Sequence, residues 1–427
     1  MLFRTYDRAD GATKGLIYDT VCQQLYEQDV NAIRRLMLEY RELRRFQNSQ
    51  RHTRQIVVYC ENHFSWSYFK PFVDLLLDDE AVEVTYLTSS HADPFLNDPP
   101  ARVHAYVIGE GTMRTIAFAA MEADVVLMTT PGLGTTYLRR SPHVGKYVYV
   151  PHSMASMHMV YPKGSFDGFD AVFCVGPHQE RELRETEAIY GLEPKQLFQT
   201  GYVKLDTIID EARACEPAQS EGAPVVAIAP TWGADTITDL CGEALIQCLL
   251  DAGCHVILRP HHITVVTEAA RLDALTREFA DRPNFKYDSG LTTKQVYEAA
   301  DVLITDWSGA AFSFGLGLLK PVLFVDTPKK IKNAEYDLLE NRPVEIQLRE
   351  RMGAVLALAD ISLAAETVTR LVAGRERWRH DLEDLREKVC HRAAPAASTS
   401  AECIRELLNE QQGRVPPLLN TIEKDNK

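Results

Sequence analysis

Chemistry in this chain gathers where short β-branched runs end in polar residues. Val148-Tyr149-Val150 runs into Pro151, His152 and Ser153. His152 suits a general base, because an imidazole with an unperturbed pKa of about 6.5 is neutral near pH 7 and can take a proton from a hydroxyl. A loop histidine also serves as a plain structural or solvated group. Val256-Ile257-Leu258 runs into Arg259, Pro260, His261 and His262. Arg259 offers a fork to a phosphate or diphosphate and His261 a single donor, the ordinary alternatives being an ion pair and a helix cap. In Ile304-Thr305-Asp306-Trp307-Ser308-Gly309, Ser308 and Gly309 precede an apolar run. Free backbone N–H groups and the positive end of a helix dipole would make an anion site there, and Ser308 is also a good N-cap. Thr231 and Trp232, after Val225–Ala229, suit a phosphate donor and a ring flanking a base, although a tryptophan at such a place also packs in cores.

Those positions need strands behind them, and the alternation of apolar runs supplies them. Strands are expected at Gln55–Cys60, Val82–Leu87, Val103–Ile108, Asp124–Met128, Lys146–Val150, Ala171–Val175 and Leu197–Thr200, with helices at Trp66–Leu77, Met113–Glu122 and Pro177–Ala188. A second series has strands at Val225–Ala229, His255–Leu258, Val302–Thr305 and Val322–Val325, and helices at Leu240–Asp251, Thr267–Phe279, Thr293–Ala299 and Ala310–Leu319. Further helices are expected at Leu363–Ala373, Arg375–Val389 and Ala401–Gln411, with a connector at Ala393–Thr399 and a frayed tail from Gly413 to Lys427. The pattern is α/β: two Rossmann-like domains facing across a cleft, with ligands beyond the carboxyl ends of the strands. The expected division is a helical, Arg-rich leader (1–54), a Rossmann-like acceptor domain (55–212), a linker (213–223), a Rossmann-like donor-nucleotide domain (224–390), and a C-terminal helix and tail (391–427).

Composition narrows the class. The 427 residues suit two domains, and the net charge of −14 argues against nucleic acid as a partner. An anionic ligand would need a local pocket. Nine cysteines without C-x-x-C spacing read as reduced packing residues, and no metal site is expected. No apolar run approaches the roughly 20 residues of a membrane span. Met1–Gly15 lacks the apolar core of a secretory signal, so the expected location is cytoplasmic. Ile33–Arg54 is the exception to the acidity. Its seven arginines against Glu39 and Glu42, with Leu36, Leu38, Leu43 and Phe46, fit either a solvated helix packed on the first domain or a peripheral contact with the inner face of a membrane. Phosphate-loop, zincin and nucleophile-elbow motifs are absent, and Pro131-Gly132-Leu133-Gly134 lacks the third glycine of a dinucleotide fingerprint.

In order, His152, Thr200-Gly201-Tyr202-Val203-Lys204-Leu205-Asp206, Ala229-Pro230-Thr231-Trp232, Arg259-Pro260-His261 and Ile304-Thr305-Asp306-Trp307-Ser308-Gly309 resemble the CDP-glycerol glycerophosphotransferase family of teichoic-acid and capsule synthesis. The likeness spans about Ala123 to Asp326. It implies a glycosyltransferase-B fold, a CDP-linked donor as substrate with no obligatory cofactor, and a polymer or lipid-linked acceptor. By the same likeness His152 and His261 are the catalytic candidates, and Thr231, Trp232, Arg259, His261, Asp306, Ser308 and Gly309 the donor-binding ones. The chain departs from the family pattern at Ser153, where glycine is usual, and at Gly309 and Ser313, where a second serine and an acidic residue are frequent. The alternatives implied by the scaffold are a glycosyltransferase using a nucleotide sugar and a nucleotide-sugar isomerase.

Overall fold

The computed structural model describes residues 30–214, 222–288, 293–411 and 413. The start of the leader, most of the linker and the tail beyond Gly413 lie outside the described residues. Among the described residues the strands form two sheets, and every strand register described is parallel. The first contains β1 (Ile56–Cys60), β2 (Val84–Thr88), β3 (Val103–Val107), β4 (Ala123–Met128), β5 (Val144–Tyr149), β6 (Ala171–Phe173) and β7 (Gln196–Phe198), in the order β3-β2-β1-β4-β5-β6-β7. The second contains β8 (Val225–Ile228), β9 (His255–Leu258), β10 (Phe285–Tyr287), β11 (Val302–Thr305), β12 (Val322–Asp326) and β13 (Gly353–Ala357), in the order β10-β9-β8-β11-β12-β13. Near-continuous burial explains the apolar runs: β1, β2 and β11 are buried at every residue, as strands covered on both faces must be.

The chain divides into two compact units, one running to Trp66 and from Leu77 to Tyr147, the other comprising Ser67–Leu76 and the chain from Val148 onward. In the first unit the described chain opens in a helix over residues 30–47. Leu43 and Phe46 of this helix are buried, the latter with its ring 5.8 Å from Tyr106. They are therefore core residues, and of the apolar group expected to be free for a surface contact Leu36 stays exposed. Exposed instead are Ile33, Leu36, Met37 and Tyr40, one stripe at helical spacing.

The second unit holds the end of β5, β6, β7 and the whole second sheet. Its apolar core joins Met154, Val175 and Tyr202 to Leu303, Phe314 and Leu382. Two strands escaped sequence reading. β10 has only three residues, and β13 begins with a glycine because a Cβ on Gly353 would collide with the Val322 carbonyl. The expected helix Ala310–Leu319 is instead a short α-turn, Ala310–Phe312, that widens into a π-turn at Ser313–Gly317. Gly315 and Gly317 allow this segment to press on Met352 and Ile208, which a Cβ would overlap at 2.6 and 2.7 Å. The buried Arg386 then donates to the Leu316 carbonyl at 3.2 Å. The expected connector before the last helix is shorter, because Ala396–Gln411 is helical; its first amide donates to Asp206 Oδ2 at 2.7 Å. Among the described residues no helix is long and apolar enough to cross a membrane.

Candidate functional site

Four neighbouring strands of the second sheet, β9, β8, β11 and β12, end beside one another. Their carboxyl ends release Arg259 and His261, Thr231 and Trp232, Asp306 to Gly309, and Lys330 and Lys332 respectively. Parallel register is what turns distant sequence positions into one rim.

Asp306 is the tie of this rim. Its buried carboxylate accepts from the backbone amides of Thr231 at 2.7 Å, Trp307 at 2.8 Å and Ile237 at 3.1 Å. Burial raises its pKa while these amides oppose the rise. With both oxygens so engaged, Asp306 orients the Thr231 loop and does not itself face a ligand.

His261 caps the helix His262–Thr267. Its Nδ1 accepts from the Ile263 amide at 3.2 Å, which leaves the proton of the neutral ring on Nε2. Burial, then His262 and Lys330, lowers its pKa to about 3. His261 is therefore a neutral donor near pH 7, and its capping and ligand-binding uses are compatible. Arg259 Nη1 donates to the buried Asp288 at 2.7 Å; the ion pair that sequence reading allowed is present, and it orients the guanidinium.

Trp232 lies among cations. Lys330 Nζ stands 4.0 Å and Lys332 Nζ 4.5 Å from its ring centroid, with His261 6.2 Å away. Lys330 donates to Thr231 Oγ1 at 2.9 Å and to the Trp232 carbonyl at 2.8 Å. Burial and the neighbouring Lys332 bring its pKa down to about 8. Neither lysine was among the sequence candidates. The signal was available, since Lys329-Lys330-Ile331-Lys332 follows a strand as the other motifs do.

Ser308 Oγ accepts from the Ala310 amide at 3.3 Å, a local i,i+2 contact, while Gly309 and not Ser308 stands at the N-cap of the turn. Gly309 faces Ser153: a Cβ there would come within 2.8 Å of Ser153 Oγ, which accepts from the Ala155 amide at 3.1 Å. Two positions expected to depart from the family pattern thus lie side by side. A side chain at either position limits the other.

One residue before Ser153, His152 is ringed by tyrosines. Tyr149 Oη lies 3.3 Å from Nδ1 and Tyr161 Oη 3.3 Å from Nε2. Tyr202 donates to the His152 carbonyl at 2.8 Å, and the Tyr68 ring stands edge-on at 6.2 Å. Burial raises the pKa of Tyr68, Tyr149 and Tyr202, and that of Tyr161 to about 12, so all four stay protonated at neutral pH. Below this ring Glu345 accepts from the Ser156 amide at 3.0 Å and hydroxyl at 2.7 Å. Burial raises the Glu345 pKa. Sequence reading missed these groups because tyrosines and a lone glutamate carry no spacing that marks them. Among the described residues no cluster of His, Cys, Asp and Glu is suited to a metal ion.

Two parallel sheets with flanking helices define a fold of the glycosyltransferase-B kind. Residues 173–336 match the family model of CDP-glycerol:poly(glycerophosphate) glycerophosphotransferase, so the chain is glycerophosphotransferase-like across the span that holds the whole second-sheet rim. His152 precedes that span. Among solved structures the chain is similar to the wall teichoic acid polymerase TagF with CDPG, at TM-score 0.57 and 15% identity over 91% of this chain and 98% of that one. The chain is also similar to a UDP-N-acetylglucosamine 2-epimerase at 0.51 and 11% over 85% and 97%, and to the S. aureus MnaA–UDP structure at 0.53 and 10% over 84% and 97%. Identities this low establish a shared fold. No curated protein matches the chain by sequence.

Proposed function

We propose that this enzyme transfers a polyol phosphate, glycerol phosphate in the first instance, from a CDP-linked donor to a hydroxyl of a cell-surface polymer or its lipid-linked precursor. The observation that supports the proposal is the close approach of the His152–Ser153 loop to the Ser308–Gly309 turn, beside which the proposed base and phosphate donors would act. The acceptor oxygen gives up its proton toward His152 and attacks the phosphorus that bears the polyol. The bond from that phosphorus to the bridging oxygen breaks, and CMP leaves with the pair. His261 Nε2–H, Arg259, Lys330 and Thr231 meet the growing charge, and such contacts favour the transition state over the ground state. Ser308 and Gly309 shape the turn beside the donor, Trp232 supplies a face for the nucleotide, and Asp306 holds the loop.

By the same reading the acceptor meets the His152 side and the donor the rim of the second sheet, both within the second compact unit. The basic helix over residues 30–47, with its exposed stripe, supports a peripheral seat on the cytoplasmic face of a membrane, where a lipid-linked acceptor would be met.

The test is incubation with CDP-glycerol, CDP-ribitol and UDP-sugars, with and without acceptor, read by nucleotide release and product NMR. Acceptor-dependent CMP release with a new phosphodiester is expected. Release of a nucleoside diphosphate with a glycosidic product would replace the proposal by sugar transfer, and an isomerised nucleotide sugar formed without acceptor would replace it by isomerisation.

A further inference from the structure

Both ring nitrogens of His152 are met by tyrosine hydroxyls, so a substrate hydroxyl has no direct route to the imidazole in this arrangement. We propose that Tyr161 is a catalytic residue that relays the acceptor's proton to Nε2 of His152, with Tyr149 as the positioning residue that fixes the tautomer. This inference rests on the function proposed above and names a group in the same site.

If Nε2 is to be the basic atom, Nδ1–H donates to Tyr149 Oη and the Tyr161 proton points to Nε2. Tyr149 is buried at the end of β5, whereas Tyr161 is half-buried. The second lone pair of Tyr161 Oη is the place for an incoming hydroxyl.

In the step, the acceptor O–H bond breaks as a new O–H bond forms on Tyr161. The original Tyr161 proton passes to Nε2 in the same event, and the acceptor oxygen forms its bond to phosphorus. Tyrosine ends as it began and His152 becomes imidazolium. A hydroxyl with a pKa of about 12 would not persist as tyrosinate at neutral pH, so transfer through Tyr161 must be concerted. Ring packing does not depend on the hydroxyl, because Tyr161 meets Phe166 edge-on at 5.1 Å.

The experiment pairs kinetics with nitrogen NMR on the full chain. Tyr161→Phe should keep the melting profile and donor KM while lowering kcat by about 100-fold, in the range of a lost acid–base group. Combined with His152→Ala, it should add almost nothing, because members of one relay lose function as a unit. The solvent proton inventory should change from two protons in flight to one. Losses that multiply, or wild-type turnover in Tyr161→Phe, would overturn the relay. Independently of any substrate, the His152 ring should carry its proton on Nδ1 at neutral pH and lose that preference in Tyr149→Phe. A proton on Nε2 in the wild type overturns the proposal even if CDP-glycerol proves to be the donor. Should CDP-glycerol not be used, that same spectrum still decides the arrangement.

Discussion

His261 does two jobs with two nitrogens, and the jobs can be separated. Asparagine at 261 keeps a good cap for the helix His262–Thr267 but lacks a donor in the position of Nε2–H. His261→Asn should therefore retain stability near pH 7 while turnover falls by about 10- to 100-fold, the range of one transition-state donor. Circular dichroism melts and steady-state rates would check this, and unchanged turnover would remove His261 from the site. The pH dependence has a definite sign. The folded-state pKa of about 3 lies below the unfolded value, so the unfolded chain binds the proton first. Stability is full above about pH 6.5 and declines as the pH falls toward 3. His261→Asn should flatten that part of the slope in urea titrations. Lys330 works at the other end of the scale. With a pKa of about 8, it loses its charge as the pH rises through 8, and donor affinity should weaken between pH 7 and 9. Calorimetry of Lys330→Met should show weaker binding at pH 7 and little further change to pH 9; an unaltered pH trend would assign the loss to another group.

At the scale of elements, the loop after β5 and the turn after β11 must approach closely enough that Gly309 has no room for a Cβ beside Ser153 Oγ. Gly309→Ala should displace the Ser153 hydroxyl from the Ala155 amide, costing about 1 kcal/mol for the lost hydrogen bond. It should also lower kcat several-fold by moving His152. Adding Ser153→Gly removes the obstructing atom and should restore kcat; failure of that rescue would show that Gly309 serves the turn alone. The π-turn that follows has a comparable dependence on absent side chains, since Gly315 and Gly317 let it lie against Met352 and Ile208.

For the whole molecule, the question is where the chain works. Ile33, Leu36, Met37 and Tyr40 form an exposed stripe, and Arg34, Arg41 and Arg44 are exposed on the same helix. Sedimentation with phosphatidylglycerol vesicles should fall when Arg34 and Arg41 become Gln, by roughly fivefold for each charge at about 1 kcal/mol per basic residue. That loss should vanish at high salt, where charges are screened. Ile33→Ser with Met37→Ser should weaken binding at any salt concentration. Binding equal to wild type in both variants would make the helix a solvated face. Truncation to residue 50 is a poor test, because it would also remove the buried Leu43 and Phe46.

The sequence by itself determined the architecture and most of the rim. Apolar runs of four to six residues alternating with helical periods require parallel strands with crossover helices, and β9 and β11 fall on the expected residues. The pattern alone also put Thr231, Arg259, His261 and Ser308 just beyond strand ends, where such sheets hold ligands, and the structure has them there. Strand order was not, since any order satisfies the same hydrophobic pattern; only the folded sheet makes β9, β8, β11 and β12 neighbours. The tertiary structure alone decided that Asp306 is spent on three amides, that Lys330 and Lys332 join Trp232, and that four tyrosines enclose His152. Local spacing reports the periodicity of an element, whereas these contacts join residues from separate elements, and a side chain's chemistry there is set by which neighbours exclude water from it.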